Sequence, residues 1–304
     1  MRIAQRRTAH RIAQNVLCKN RTACAHECNL GHASYSFVFI CLSNLKHFIR
    51  LHEKIVPITG KTASIFRVAC RYNATMPVNA SDIQAMFARI APAYDINNRL
   101  HSLGRDIAWR RALVATADVK SGQAVLDAAC GTGDVTGMLA AGGLAGRVVG
   151  LDFCQEMIAI AQRKFAGDAV EWVVGDATKL PFADATFDVV TIAFGLRNIP
   201  DIPKALAEFR RVLRPGGRLV ALEFHPPRRQ ALGGLLSFYL WKIMPRTAGL
   251  IARDRTGAYR YLCTSMHSFM QPEELSAAMQ QAGFSEASFR RLNFDLAAIH
   301  VAKI

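Results

Sequence analysis

The stretch Val125-Leu126-Asp127-Ala128-Ala129-Cys130-Gly131-Thr132-Gly133-Asp134 constrains this chain more than any other, because an apolar strand runs straight into a glycine turn and then a helix. Glycines there let the backbone approach a ligand at the carboxyl end of a sheet. By itself a Gly-x-Gly turn is a tight connection and nothing more, so the surrounding pattern decides. From Gln123 onward, short β-branched runs at 124–127, 147–151, 170–174, 187–194 and 218–223 alternate with helical periods at 135–141, 155–165 and 202–213. That repetition predicts a doubly wound, mostly parallel α/β sheet with helices on both faces. A helix over 272–283 and two strands within 285–301 predict an antiparallel edge.

A dinucleotide fold also begins with a glycine turn, and charge separates the alternatives. A pyrophosphate over the helix start wants bare amides and a positive dipole, whereas Asp127 and Asp134 place carboxylates there. A sulfonium cofactor carrying an ammonium group is helped by them. Gly137 also falls one residue late for the Gly-x-Gly-x-x-Gly fingerprint. Asp152 follows the second strand, where a carboxylate can accept from both ribose hydroxyls; capping the next helix is the simpler role. Asp176 and the Ala177 amide follow the third strand, placed to read an adenine.

Of a formal net charge of +15, residues 1–75 hold 12 Lys and Arg against two acids, Glu27 and Glu53. The same segment holds Cys18, Cys24, Cys28, Cys41 and Cys70, while Cys130, Cys154 and Cys263 are scattered, which suggests reduced thiols and not a disulfide framework. It lacks sustained periodicity, so poor order is expected. Three readings compete: a transit peptide, a metal-binding lobe, or sequence upstream of the working start. The spacing of Cys24, His26, Cys28 and His32 matches no common zinc finger, so no metal site is expected. We place the domain at 76–304, because Ile83, Met86, Phe87 and Ile90 open a helical period soon after Met76. No nucleic-acid motif accompanies the charge, and no apolar run approaches the roughly 20 residues that span a bilayer.

The chain resembles the class I methyltransferases, and more narrowly the ubiquinone/menaquinone biosynthesis C-methyltransferase family. Tyr94-Asp95-Ile96-Asn97-Asn98 and Phe194-Gly195-Leu196-Arg197-Asn198 carry the narrow resemblance; the glycine turn and Pro215-Gly216-Gly217 are shared more widely. It covers Ser81 to the C-terminus. It implies S-adenosylmethionine as cofactor, held by Gly131, Thr132, Gly133, Asp152, Asp176 and Ala177, and a prenylated quinol as substrate. Two departures stand out: Ala193 where relatives often have Ser, and His225-Pro226-Pro227 where Ser-Lys-Pro is expected.

Methylating a ring carbon requires an ionised hydroxyl on that ring and later removal of a ring proton. Arg197 is the candidate for stabilising the oxyanion and Asn198 for orienting a ring oxygen. Tyr94 and Asp95 are candidates for positioning the quinol or a water acting as base. Residues 231–251, rich in Leu, Phe, Tyr and Trp with Arg and Lys around them, fit an interfacial helix, a prenyl tunnel or a dimer-packing helix. The expected location is cytoplasmic, with peripheral contact at the inner membrane, or mitochondrial if residues 1–75 are a transit peptide. Demethylmenaquinol is the preferred acceptor, the methoxy-benzoquinol of ubiquinone synthesis the alternative, and Phe194, Phe224 and Trp241 are candidates to line its site. A non-catalytic binding partner in a quinone-synthesis complex is the second class of function.

Overall fold

The computed structural model describes residues 79–226, 239–254, 258–292 and 295–304. The basic extension, with its Cys24, His26, Cys28 and His32, lies outside the described residues, as do residues 227–238.

Seven strands form one sheet in the order β3-β2-β1-β4-β5-β7-β6. β1 (Ala124–Ala128), β2 (Arg147–Asp152), β3 (Val170–Val174), β4 (Phe187–Ala193) and β5 (Leu213–Phe224) run parallel. The last two strands, β6 (Glu286–Leu292) and β7 (Ala297–Lys303), pair antiparallel. The expected architecture is therefore the one observed, edge included. Strand alternation explains the two cores. Leu126 and Ala128 point to one face with Leu206 and Phe209 of α6 (Ile202–Val212) and Leu275 and Met279 of α9 (Pro272–Gln281). Val125 points to the other, with Trp109 and Leu113 of α3 (Arg105–Ala117) and Val135 and Leu139 of α4 (Asp134–Ala141). Both faces of β1 are buried, so it reads as a continuous apolar run broken only by Asp127.

A third apolar cluster stands apart from the sheet. Ile83, Phe87 and Ile90 of α1 (Ala80–Ile90) pack on Met157 of α5 (Gln155–Lys164), Ala248 of α7 (Met244–Ile251) and Tyr259 of α8 (Ala258–Ser268). Asn79 caps α1 by accepting from the Asp82 amide at 2.9 Å. A 3-10 turn, Ala91–Ala93, then leads into α2 (Tyr94–His101). This helical layer meets the sheet at the carboxyl ends of its strands, the end where open α/β sheets bind ligands at the point of strand-order reversal, here between β1 and β4.

Candidate active site

At that reversal the chain leaves both strands by way of left-handed residues that are not glycine. Ala129 after β1 has φ +50° and Phe194 after β4 has φ +59°. Each such residue costs on the order of 1–3 kcal/mol and persists where the surroundings dictate it. The two turns also crowd each other: a Cβ on Gly195 would lie 2.7 Å from that of Ala129.

A cavity of about 260 Å³ opens beside them, lined by Gly131, Asp152, Asp176, Ala177, Ala193 and Phe194 among others. Asp152 is buried, and its oxygens accept from the Gly131 amide at 2.8 Å and the Cys154 amide at 2.9 Å. It thus braces the glycine turn and the start of α5 at once, while each carboxylate oxygen keeps a further acceptor position. Burial raises its pKa to about 6, against the pull of those amides. Asp176 is exposed and accepts from the Thr178 amide at 2.8 Å. A Cβ on Gly131, at φ +57°, would meet no protein atom within 4 Å, which leaves that side of the turn open to a ligand. Carboxylates at two strand ends, an open glycine backbone and an apolar floor suit an adenosyl sulfonium.

Thr132 and Gly133 line neither this cavity nor the next. The Thr132 hydroxyl donates to Asp95 at 2.6 Å. Gly133 is needed for packing, since a Cβ there would come within 2.6 Å of the Trp172 ring. Asp95 accepts from Lys164 as well, at 2.7 Å, so both its oxygens are engaged. It ties α2 to the glycine turn and to α5 and is not placed as a base. Asp134 requires a second correction. Lys164 and Arg99 donate to it and Arg110 lies 3.7 Å away. Burial opposes its ionisation, but Lys164 and Arg99 more than offset this and hold its pKa below the usual carboxylate range. Its charge is therefore spent locally, and Asp152, Asp176 and Asp201 are the carboxylates that line the first cavity. Asp127 is fully enclosed under Thr136 and Thr191, which donate to it at 2.6 and 2.8 Å, and burial raises its pKa to about 6.

Tyr94 and Phe194 line a second cavity too, of about 130 Å³, together with Trp109, Arg197, Phe224 and Asn97. The two cavities therefore share a wall. Phe194 stacks on Phe224 with ring centroids 4.4 Å apart, and Trp109 meets both edge-on. Trp109, which sequence reasoning passed over, holds part of the aromatic wall; the side chain of Trp241 lies outside the described residues.

Arg197 is buried, not on the surface. Its Nη1 donates to Glu223 at 2.7 Å and to the Phe194 carbonyl at 2.6 Å, and its backbone amide donates to the other Glu223 oxygen at 3.1 Å. Burial disfavours the charge, but the Glu223 carboxylate more than compensates, and the guanidinium pKa lies above its ordinary value. Asn198 donates to the Phe194 carbonyl and accepts from the Tyr261 hydroxyl, each at 3.3 Å, and lines the first cavity. Glu223 is a second site residue that sequence reasoning did not assign; its signal was a carboxylate within the apolar run 219–224. His225 turns into the core, its ring against the Met270 carbonyl and His300, and lines neither cavity.

The model of the ubiE/COQ5 methyltransferase family matches residues 75–303. A demethylmenaquinone methyltransferase of Thermus thermophilus is 49% identical over 218 residues, 71% of this chain and 98% of that protein. A 2-phytyl-1,4-naphtoquinone methyltransferase of Thermosynechococcus vestitus is 43% identical, covering 73% of this chain and 99% of that one. A ubiquinone/menaquinone biosynthesis C-methyltransferase of Geobacter sulfurreducens is 40% identical over 73% and 88%. Among solved structures, a SAM-dependent methyltransferase from Aquifex aeolicus superposes with a TM-score of 0.51 at 18% identity, over 75% of this chain and 99% of that one, a likeness of fold. With its glycine turn, its strand-end carboxylates and a match over three quarters of its length, the chain belongs to the ubiE/COQ5 methyltransferase family.

Proposed function

We propose that the protein transfers the methyl group of S-adenosylmethionine to a ring carbon of a prenylated naphthoquinol, demethylmenaquinol in the simplest case. The single observation that carries this reading is the shared wall. A cavity with strand-end carboxylates adjoins an aromatic cavity with a buried arginine, and Tyr94 and Phe194 belong to both. A bound adenosyl sulfonium supplies an electrophilic methyl group. Asp152 takes the ribose hydroxyls, and Asp176 with the Ala177 amide takes the adenine edge. In the second cavity Phe194, Phe224 and Trp109 hold the ring flat, while Arg197 favours the phenolate that makes the ring carbon nucleophilic. The Glu223 partner keeps that guanidinium aimed and charged. Asn198 and Tyr94 orient the ring at the seam.

The methoxy-benzoquinol of ubiquinone synthesis is the second reading, kept by the names of some relatives. Purified protein offered both quinols with labelled cofactor tests the pair: faster labelling of the naphthoquinol is expected, and exclusive labelling of the benzoquinol would overturn the assignment.

The substrate's prenyl tail calls for contact with a lipid surface, and we place that contact on α2 and α7. Ile96 and Leu100 lie four residues apart on α2 and Leu103 follows in the turn after it; they are 63%, 53% and 86% exposed, and Leu250 of α7 is 81% exposed. His101 and Thr247 join the two helices at 2.8 Å. Lys242, Arg246, Arg253 and Arg260 line a shallow depression beside them, which suits anionic headgroups. No described helix is long and apolar enough to cross a membrane. Flotation with anionic but not neutral vesicles is the expected result.

A further inference from the structure

His225 follows β5 and His300 lies on β7, and both are buried. Their Nε2 atoms are 3.2 Å apart. His225 Nδ1 lies 2.7 Å from the Met270 carbonyl, which only accepts, so Nδ1 carries the proton and Nε2 of the same neutral ring is an acceptor. His300 Nε2 must then donate to it, which leaves His300 Nδ1 to accept from the Ser276 hydroxyl at 3.2 Å. One chain of hydrogen bonds thus runs from α9 through β7 and the end of β5 to the segment between α8 and α9. It uses all four ring nitrogens with both rings neutral. Gln271 repeats the last link by donating to the Pro226 carbonyl at 3.2 Å. The chain joins two walls of the aromatic cavity. Phe224, next to His225, and Leu296, whose carbonyl accepts from the His225 amide at 3.2 Å, line it from the sheet. Leu262 and Met266 of α8, shortly ahead of Met270, line it from the helical side.

A further proton finds no suitable place in this chain. On His225 Nε2 it would face the His300 donor, and on His300 Nδ1 it would require Ser276 to turn its hydroxyl over. Either way a charge would be enclosed with no carboxylate bonded to it. The charged groups that act on the pair are Glu223 of β5, Arg291 of β6 and Asp295 ahead of β7. Glu223 is engaged by Arg197 and Asp295 by Arg291, whose own charge opposes one on either ring. Burial lowers the pKa of both rings, that of His300 to about 3. We propose that His225 and His300 form an acid-sensitive clasp: the neutral pair holds the sheet wall and the α8 wall of the aromatic cavity together, and protonation releases them while the cofactor cavity, which neither ring lines, keeps its shape. The clasp does not depend on which ligand occupies the aromatic cavity.

An unfolded histidine takes its proton near pH 6.5, whereas the folded pair resists it, so the clasp contributes fully above that pH and weakens as pH falls below it. One pH unit below, each histidine held neutral lowers the folding equilibrium constant about tenfold, up to about 100-fold for the pair. Hydrogen exchange on the full chain at pH 7.5 and pH 5.5 tests this against His225→Asn/His300→Leu, which keeps a donor for the Met270 carbonyl and has no ring to charge. Comparing the two proteins at each pH cancels the intrinsic pH dependence of exchange. On acidification, opening of residues 220–226 and 258–270 should rise roughly 10- to 100-fold more in the wild type than in the variant, while residues 124–152 respond alike in both. An equal acid response of the two proteins at 220–226 and 258–270, or an excess in the wild type spread evenly over 124–152, overturns the proposal. Nitrogen-15 spectra of the histidine-labelled wild type decide the case in which the variant does not fold. Two neutral rings at pH 6, His225 protonated on Nδ1 and His300 on Nε2, are expected; a charged ring or the opposite tautomers at that pH would overturn the clasp. No quinol enters either measurement, so a failure of the function proposed above is distinguishable from a failure of this one.

Discussion

Replacing Glu223 with alanine removes the counter-charge of a guanidinium that cannot reach water. The Glu223 side chain is fully buried and that of Arg197 is 5% exposed. The carboxylate accepts three hydrogen bonds, from Arg197 Nη1, the Arg197 amide and the Phe224 amide, at 2.7, 3.1 and 2.8 Å. Breaking a buried pair from one side typically costs about 3–5 kcal/mol, because the remaining charge is left uncompensated. For a domain of this size each kcal/mol lowers the melting temperature by about 2–4 °C, so the variant should melt roughly 6–20 °C below the wild type. Removing both charges in Arg197→Met/Glu223→Leu should cost less than the single change, since no buried ion remains. Thermal and urea unfolding of the wild type, the two single variants and the double variant measure this cycle. A Glu223→Ala protein that loses under about 1 kcal/mol, or a double variant no more stable than it, would refute the idea that the pair is desolvated and mutually dependent.

Asp152→Ala should weaken S-adenosylmethionine binding by removing two charge-assisted hydrogen bonds worth roughly 1.5–3 kcal/mol each, and calorimetry showing unchanged affinity would reject the ribose role. Because burial places the Asp152 pKa at about 6, the ionised acceptor dominates above that pH and is lost below it, so affinity should fall roughly tenfold per pH unit under pH 6 and the slope should vanish in Asp152→Asn. Arg197→Ala should lower turnover about 10²- to 10³-fold while leaving cofactor affinity nearly intact, as Arg197 lines only the second cavity; single-turnover rates near those of the wild type would make it structural. The naphthoquinol should be preferred because its second ring buries roughly 50 Å² more apolar surface, worth about 1–2 kcal/mol, which competition between the two quinols would show. Protein beginning at Met76 should keep its melting temperature and activity, and a large loss on truncation would refute a domain confined to 76–304.

The architecture was legible because its signals are local. Period-2 and period-3.6 patterns, the glycine turn and the helix caps follow from neighbours within a few residues, and they placed the parallel strands, the antiparallel edge and the turn after β1 where the structure has them. That Asp152, Asp176 and Ala177 line one cavity follows for the same reason, since each lies at the carboxyl end of a strand. Which charges remain available to a ligand was not legible. Asp134 beside the glycine turn and Asp95 in the Tyr94-Asp95 pair both read as available acids, yet Lys164 and Arg99 engage the one and Lys164 and Thr132 the other across long stretches of sequence. Arg197 was identifiable as a candidate, but its burial and its pairing with Glu223, 26 residues away, exist only once β4 and β5 lie side by side. Trp109 carries no sequence signal at all, being an ordinary helical residue until its helix packs on the sheet. The sequence alone determined the sheet, its direction and the end at which the first cavity opens, because these depend on short-range periodicity. Only the tertiary structure decided which side chains are paired and which line the two cavities, because pairing depends on long-range contacts that no local pattern encodes.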